Sequence, residues 1–220
     1  MSEKAIESSK RVLEPIERVS EILFGLIMVL TFTGSLSISG VGHDTVRTML
    51  IGALGCNLAW GLIDGVFYLM GCLTEKARAL MTLLAVRNST DPSETHRLIG
   101  AALPPLVAAV TPPAELDALQ RRLRQLPAPA GPARLHRQDW LGALAVLLLV
   151  FCSTLPVAIP FVVFRDPVRA LRVSNGVAIT LLFLTGSVFG RAIGRNPWAV
   201  GALMVLLGSG LVGLTIALGG

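Results

Sequence analysis

Charge is what this sequence has least of: charged residues make up 15% of its 220 positions, where a soluble domain carries about a quarter. Aromatic residues are scarce too, at 5%, with a single tyrosine. No basic stripe is interleaved with aromatics, so the net charge of +5 does not indicate nucleic acid as a partner. The three cysteines, Cys56, Cys72 and Cys152, form no CxxC and are odd in number. That excludes a disulfide framework and leaves them as small, buried apolar residues. There is no GxxxxGK[ST] loop, HExxH or GxSxG, and the histidines (His43, His96, His136) are isolated. No clustered nucleophile or base pair stands out, so the chain is not expected to be an enzyme. Residues 1–21 hold five glutamates and no short apolar core before a cleavage site, so the first apolar run is expected to persist as a helix.

What the sequence does have is long apolar runs. Hydrophobic residues reach 53% and mean hydropathy is +0.69. The runs match the roughly 20 residues that cross a bilayer. They are Ile22–Gly40, Thr48–Cys72, Trp140–Phe164, Val173–Gly190 and Trp198–Leu218. Trp140 and Trp198 each open a run, where an indole suits the lipid–water interface. The expected fold is an all-α integral membrane protein of five transmembrane helices, with a small cytoplasmic helical insertion between the second and third. It divides into residues 1–72 (an amphipathic N-terminal segment and two spans), 73–139 (the insertion) and 140–220 (three spans).

Lysine and arginine set the orientation. Fifteen fall on the side of the N-terminus and four on the other, which puts the N-terminus in the cytoplasm and the C-terminus opposite. Ahead of the first span, Glu7–Arg11, Lys10–Glu14 and Glu14–Arg18 pair at i,i+4, with Pro15 as a point of bending. In the insertion, Asp91-Pro-Ser-Glu94 reads as a helix start. Pro104-Pro105 interrupts the next apolar stretch, and Thr111-Pro112-Pro113 starts another helix. The expectation is a helical hairpin that packs on the membrane face or binds a partner.

Ionisable residues inside a span cost on the order of 2.5–3.5 kcal/mol, so they invite a functional reading. Asp64 is the one acid clearly inside. Asn57, Gly61, Asp64 and Tyr68 follow at +4, +3 and +4, on one helix face. Two readings stay open: a polar pathway or cation site centred on Asp64, or a carboxyl that bonds across a helix interface. Met28 is expected at the depth of Asp64, and Met70 nearer the cytoplasmic end, level with Glu21. Thioethers suit soft or borderline metals and carboxylates suit harder ones, so a mixed transition-metal site competes with methionine as filler. The hydroxyls of Thr31, Thr33, Ser35, Ser37 and Ser39 read as helix packing or a conduction path. Pro156 and Pro160 bend the third span and free carbonyls. Gly186, Gly190 and the glycines at 201, 208, 210 and 213 read as packing faces.

Three stretches, in order, resemble the vacuolar iron transporter (iron/manganese transporter) family, of which this chain looks like a divergent member. They are Glu21-Ile-Leu-Phe-Gly-Leu-Ile in the first span, Leu-Pro-Val-Ala-Ile-Pro-Phe in the third, and the tail from Ala170-Leu-Arg-Val-Ser-Asn through Arg195-Asn-Pro-Trp198 to Gly220. The resemblance implies a homodimer that exports ferrous iron or manganese by proton exchange, with no tightly bound cofactor. It implies carboxylates and methionines on the first two spans as ligands: Asp64, Glu21, Met28 and Met70, with Asn57 and Tyr68 along the path. Phe24 stands where that family has Asp, and Val66-Phe67-Tyr68 where it has Gly-Glu-Tyr, which leaves Asp64 as the substitute. The expected host is a bacterial inner membrane. The rival expectation is a non-transporting assembly or regulatory protein that keeps this fold, and a carrier of an organic or anionic solute ranks below both.

Overall fold

The computed structural model describes residues 15–39, 43–127 and 131–217. Every regular element among them is a helix: α1 (Pro15–Ser39), α2 (His43–Asn88), α3 (Pro92–Ala102), α4 (Pro105–Val110), α5 (Pro113–Gln125), α6 (Arg137–Val163), α7 (Pro167–Ala192) and α8 (Pro197–Ala217). Four are long and apolar enough to cross a membrane: α2 from Leu50, α6, α7 and α8 up to Leu214. In α1 the described apolar stretch is the shorter Val19–Thr31. The ion pairs expected among residues 7–18 lie outside what is described, as do the side chains of Thr33, Ser35, Ser37 and Ser39 and part of the Pro127–Pro132 linker.

Three helix starts follow one recipe. Asp91, Asp166 and Asn196 each precede a proline at the first helical position. Their side-chain oxygens accept from Ser93 N at 2.9 Å, Val168 N at 3.1 Å and Trp198 N at 3.0 Å. A proline there loses no hydrogen bond, and the cap satisfies an orphan donor. α1 is described only from Pro15 onward, so the bend expected at that residue falls at the edge of the described residues. α7 ends on Gly194 at φ +68, with Arg195 N bonded to Gly190 O and Gly194 N to Arg191 O. That is a Schellman stop, which favours glycine.

α2 is the largest departure from expectation. Its second-span helix does not end at Cys72 but runs on to Asn88. Residues 73–88 are rich in Leu, Ala, Met, Glu, Lys and Arg and hold no glycine or proline, so nothing breaks the helix before Asp91-Pro92. α3, α4 and α5 then form as expected, with Pro104-Pro105 separating the first two.

The chain divides into two compact units. One is Leu69–Asp139; the other holds the described residues up to Tyr68 and those from Trp140 onward. In the second unit Leu26, Val29 and Leu30 of α1 meet Ala53 of α2, Val157 of α6, and Ala178 and Leu182 of α7 in one buried cluster. α7 and α8 approach through glycines. A Cβ on Gly186 would stand 3.0 Å from Gly201 Cα, and one on Gly201 only 2.8 Å from Phe183 O. Gly208 packs under Leu182 in the same way, whereas a Cβ on Gly210 or Gly213 meets nothing within 4 Å among the described residues. Cys56 and Cys72 are half-buried; Cys152 is exposed, where the sequence pointed to a buried residue.

Candidate functional site

Several polar residues of the second unit lie along α6. α2 lies against it through glycine. A Cβ on Gly61 would be 3.1 Å from Leu147 O, and one on Gly65 3.2 Å from Ala143 O. One turn further on, the Tyr68 ring covers Gly142, leaving no room for a Cβ there. The face carrying Asn57, Gly61, Asp64 and Tyr68 is therefore the face that meets α6. Asp64 is half-buried on it. Asn57 is fully buried: its Nδ2 donates to Ala53 O at 3.1 Å, while its Oδ1 accepts from no described residue.

α1 meets the same helix. A Cβ on Gly25 would contact Ser153 Oγ, Val150 O at 3.0 Å and Thr154 Cγ2 at 3.4 Å. Glu21 and Met28 lie four residues before and three after Gly25, so they share its side of α1. Both are half-buried. α6 thus forms a common wall, touched by α2 at Ala143–Leu147 and by α1 at Val150–Thr154.

Just past that contact, α6 continues as a helix through Pro156 and Pro160. The Ser153 and Thr154 hydroxyls donate back to Val150 O and Phe151 O at 2.7 Å each. Ser174 Oγ of α7 donates to Val157 O at 2.7 Å, a buried hydrogen bond reaching into the turn between the two prolines. Neither Ser153 nor Thr154 was singled out from the sequence. Their signal, two hydroxyls immediately before Leu155-Pro156, is legible only once proline is read together with the residues one turn earlier. Gly25 and Gly142 were also missed, because a contact glycine looks like any other until its neighbour is known.

No family model matches the chain, and no curated protein matches it.

Met70 stands apart from the other candidates. It belongs to the Leu69–Asp139 unit and is 58% exposed. Among the described residues, no three of His, Cys, Asp and Glu are grouped as a metal ion would need. In the Leu69–Asp139 unit, polar side chains cluster in two other places. Lys76 Nζ contacts Asp139 Oδ2 at 2.5 Å and His136 Nδ1 at 2.9 Å. Asp139 also accepts from His136 N at 2.6 Å, which anchors the entry to α6. His96 Nε2 meets Asp117 Oδ1 at 2.7 Å and joins α3 to α5.

Proposed function

We propose that the chain is a five-span membrane carrier of a divalent transition-metal ion, iron or manganese, with Asp64 as its central ligand or proton carrier. One observation carries this reading. The α2 face that packs on α6 holds a half-buried carboxylate and, two turns away, a fully buried amide oxygen that accepts from no described residue. In hydrocarbon, both groups favour a cation or a proton as compensation. A carboxylate that alternates between the two is the simplest device for exchange transport. Glu21 and Met28 line the α1 side of the same helix, and Tyr68 bounds the path at Gly142. Pro156 and Pro160 supply the bend, and Met70 is an outlying ligand candidate.

The resemblance to the vacuolar iron transporter family supports the ion class, the proton coupling and the homodimer. The distribution of lysine and arginine supports a cytoplasmic N-terminus and a C-terminus on the opposite face, and a bacterial inner membrane is the host we assign. α1, with its described apolar stretch Val19–Thr31, is the fifth span in this reading. A second reading is favoured by the lack of a three-ligand cluster among the described residues: an assembly or regulatory protein that keeps the helices and moves no ion.

Purified protein in liposomes holding a metal-quenched dye distinguishes the two. The carrier reading expects quenching on addition of ferrous iron or manganese, abolished by Asp64→Asn. Quenching that survives Asp64→Asn removes Asp64 from the mechanism. No quenching by the folded wild-type protein favours the second reading.

A further inference from the structure

The Leu69–Asp139 unit carries an apolar surface that the proposed transport does not use. On α4, Leu106 is 85% exposed, Val110 79% and Val107 45%. From Leu98 to Ala114 no residue is ionisable. A single exposed leucine is ordinary; three large apolar side chains on one six-residue helix form a patch.

The helix packing says where this patch stands within its unit. α3 follows α2 after only three residues, 89–91. The buried residues on either side of that turn are Leu83 and Val86 of α2 and Thr95 and Ile99 of α3. In an antiparallel pair about the turn, Val86 falls opposite Thr95 and Leu83 opposite Ile99. Arg87 Nη1 donates to Leu126 O at 3.1 Å and Arg124 Nη2 to Ser89 O at 2.6 Å, so α5 ends where α2 ends. α3 therefore runs back along α2 for about 16 Å by helical rise. That brings α4 level with Lys76–Arg78, about a turn beyond the apolar Leu69–Leu73. The returning chain reaches the same level, with Arg134 O and His136 Nδ1 both at Lys76 Nζ. Arg78, Arg134 and Arg137 are exposed at this end; the acids here are Glu75, Glu115 and Asp139, the last buried and paired with Lys76.

We propose that α4 lies in the lipid–water interface of the bilayer. Leu106, Val107 and Val110 insert among the first acyl carbons, and Arg78, Arg134 and Arg137 meet lipid phosphates. Apolar side chains beside snorkelling cations are what an interfacial segment needs. A protein interface normally takes about 20–30 residues a side, far more than this helix offers. The proposal rests on the apolar helices being membrane-embedded and is independent of any transport.

The test uses the full chain in anionic phospholipid nanodiscs, with Cys56→Ser, Cys72→Ser and Cys152→Ser. Single cysteines are introduced by Leu106→Cys, Thr90→Cys and Leu206→Cys and labelled with an environment-sensitive dye. The dye at 106 should emit to the blue of that at 90, be quenched by shallow spin-labelled lipid and be shielded from aqueous iodide. The dye at 90, at the far end of α3, should behave in the opposite way. Iodide quenching at 106 without lipid quenching overturns the proposal. Shielding at 106 from both quenchers overturns it in favour of a protein cover. Position 206, exposed on α8, reports the membrane reading separately: lipid quenching there with none at 106 rejects only the interfacial site, and none at either rejects the membrane reading itself.

Discussion

Each of the two units of this chain is held together internally by different means. In the apolar unit helices meet closely at glycine, Gly25 and Gly61 on α6 and Gly186 on Gly201, with one buried side-chain bond between helices, Ser174 Oγ to Val157 O. The Leu69–Asp139 unit holds a small core of Leu83, Val86 and Ile99 and relies on side chains that reach across: His96 to Asp117, Arg87 and Arg124 to the carbonyls of Leu126 and Ser89, Lys76 to Asp139. Solvent would account for the difference if the apolar unit lies in lipid, as proposed, and most of the other outside it. Lipid gives apolar helices no reason to leave it for one another, so close packing between small residues has to supply the attraction. In water, a short core gains from burial, and directed hydrogen bonds fix its register.

The largest effect should come from filling a glycine contact. Gly201→Val puts a β-carbon against Phe183 O, a backbone atom that cannot move aside. Overpacking of this kind costs about 3 kcal/mol, seen as a large drop in thermal or denaturant midpoint in detergent. Gly210→Ala, which meets nothing within 4 Å, should leave the midpoint in place or raise it. Equal losses from both would mean that helix propensity, not contact, governs α8.

In the other unit the matching cut is Lys76→Met. It leaves Asp139, whose side chain is 12% exposed, without its cation. The expected loss is about 1–2 kcal/mol, reduced by the partial exposure of Lys76, and read as faster amide exchange at the start of α6. If Lys76→Met proves more damaging than Gly201→Val, the contrast between the units is wrong.

Much of this was legible in the sequence, for reasons that differ by residue. The apolar runs, the capped prolines and the break at Pro104-Pro105 are local signals, and helices form where they point. The face carrying Asn57, Asp64 and Tyr68 was also legible, since 3.6-residue periodicity fixes it. Its neighbour was not: that α6 is the partner, through Gly142 and Leu147, depends on contacts distant in sequence. The extension of α2 to Asn88 was missed because hydropathy falls at Leu73 while helix propensity does not. A span and a helix end for different reasons. Spacing identifies a small-residue stripe without saying which of its glycines meet a helix of the same chain: Gly208 does, and Gly210 and Gly213 meet none among the described residues.

Asn57 sharpens the comparison from inside the apolar unit. Asn57→Leu replaces a buried amide whose oxygen accepts from no described residue with an apolar side chain of similar size. Deleting an unsatisfied acceptor can offset the lost bond to Ala53 O, so stability should change by less than about 1 kcal/mol. Metal uptake should fall if Asn57 lies on the path. A loss of several kcal/mol would show instead that its oxygen has a structural donor and that polar ties hold both units.

The smallest effect is a pH dependence at Asp91. The Ser93 hydroxyl and then the Ser93 backbone N–H donate to its carboxylate, and these bonds hold its pKa below the ordinary carboxylate value. Because the folded value is depressed, the group's contribution is complete above the unfolded value of about 3.9 and is lost as pH falls through the folded one. Acidification through that window should loosen the start of α3, read as faster amide exchange at Ser93–Thr95. Asp91→Asn keeps a capping oxygen and should abolish the pH response while leaving the helix in place. A pH response that survives Asp91→Asn would have to come from another acid, and Glu94, in the first turn of the same helix, is the next to replace.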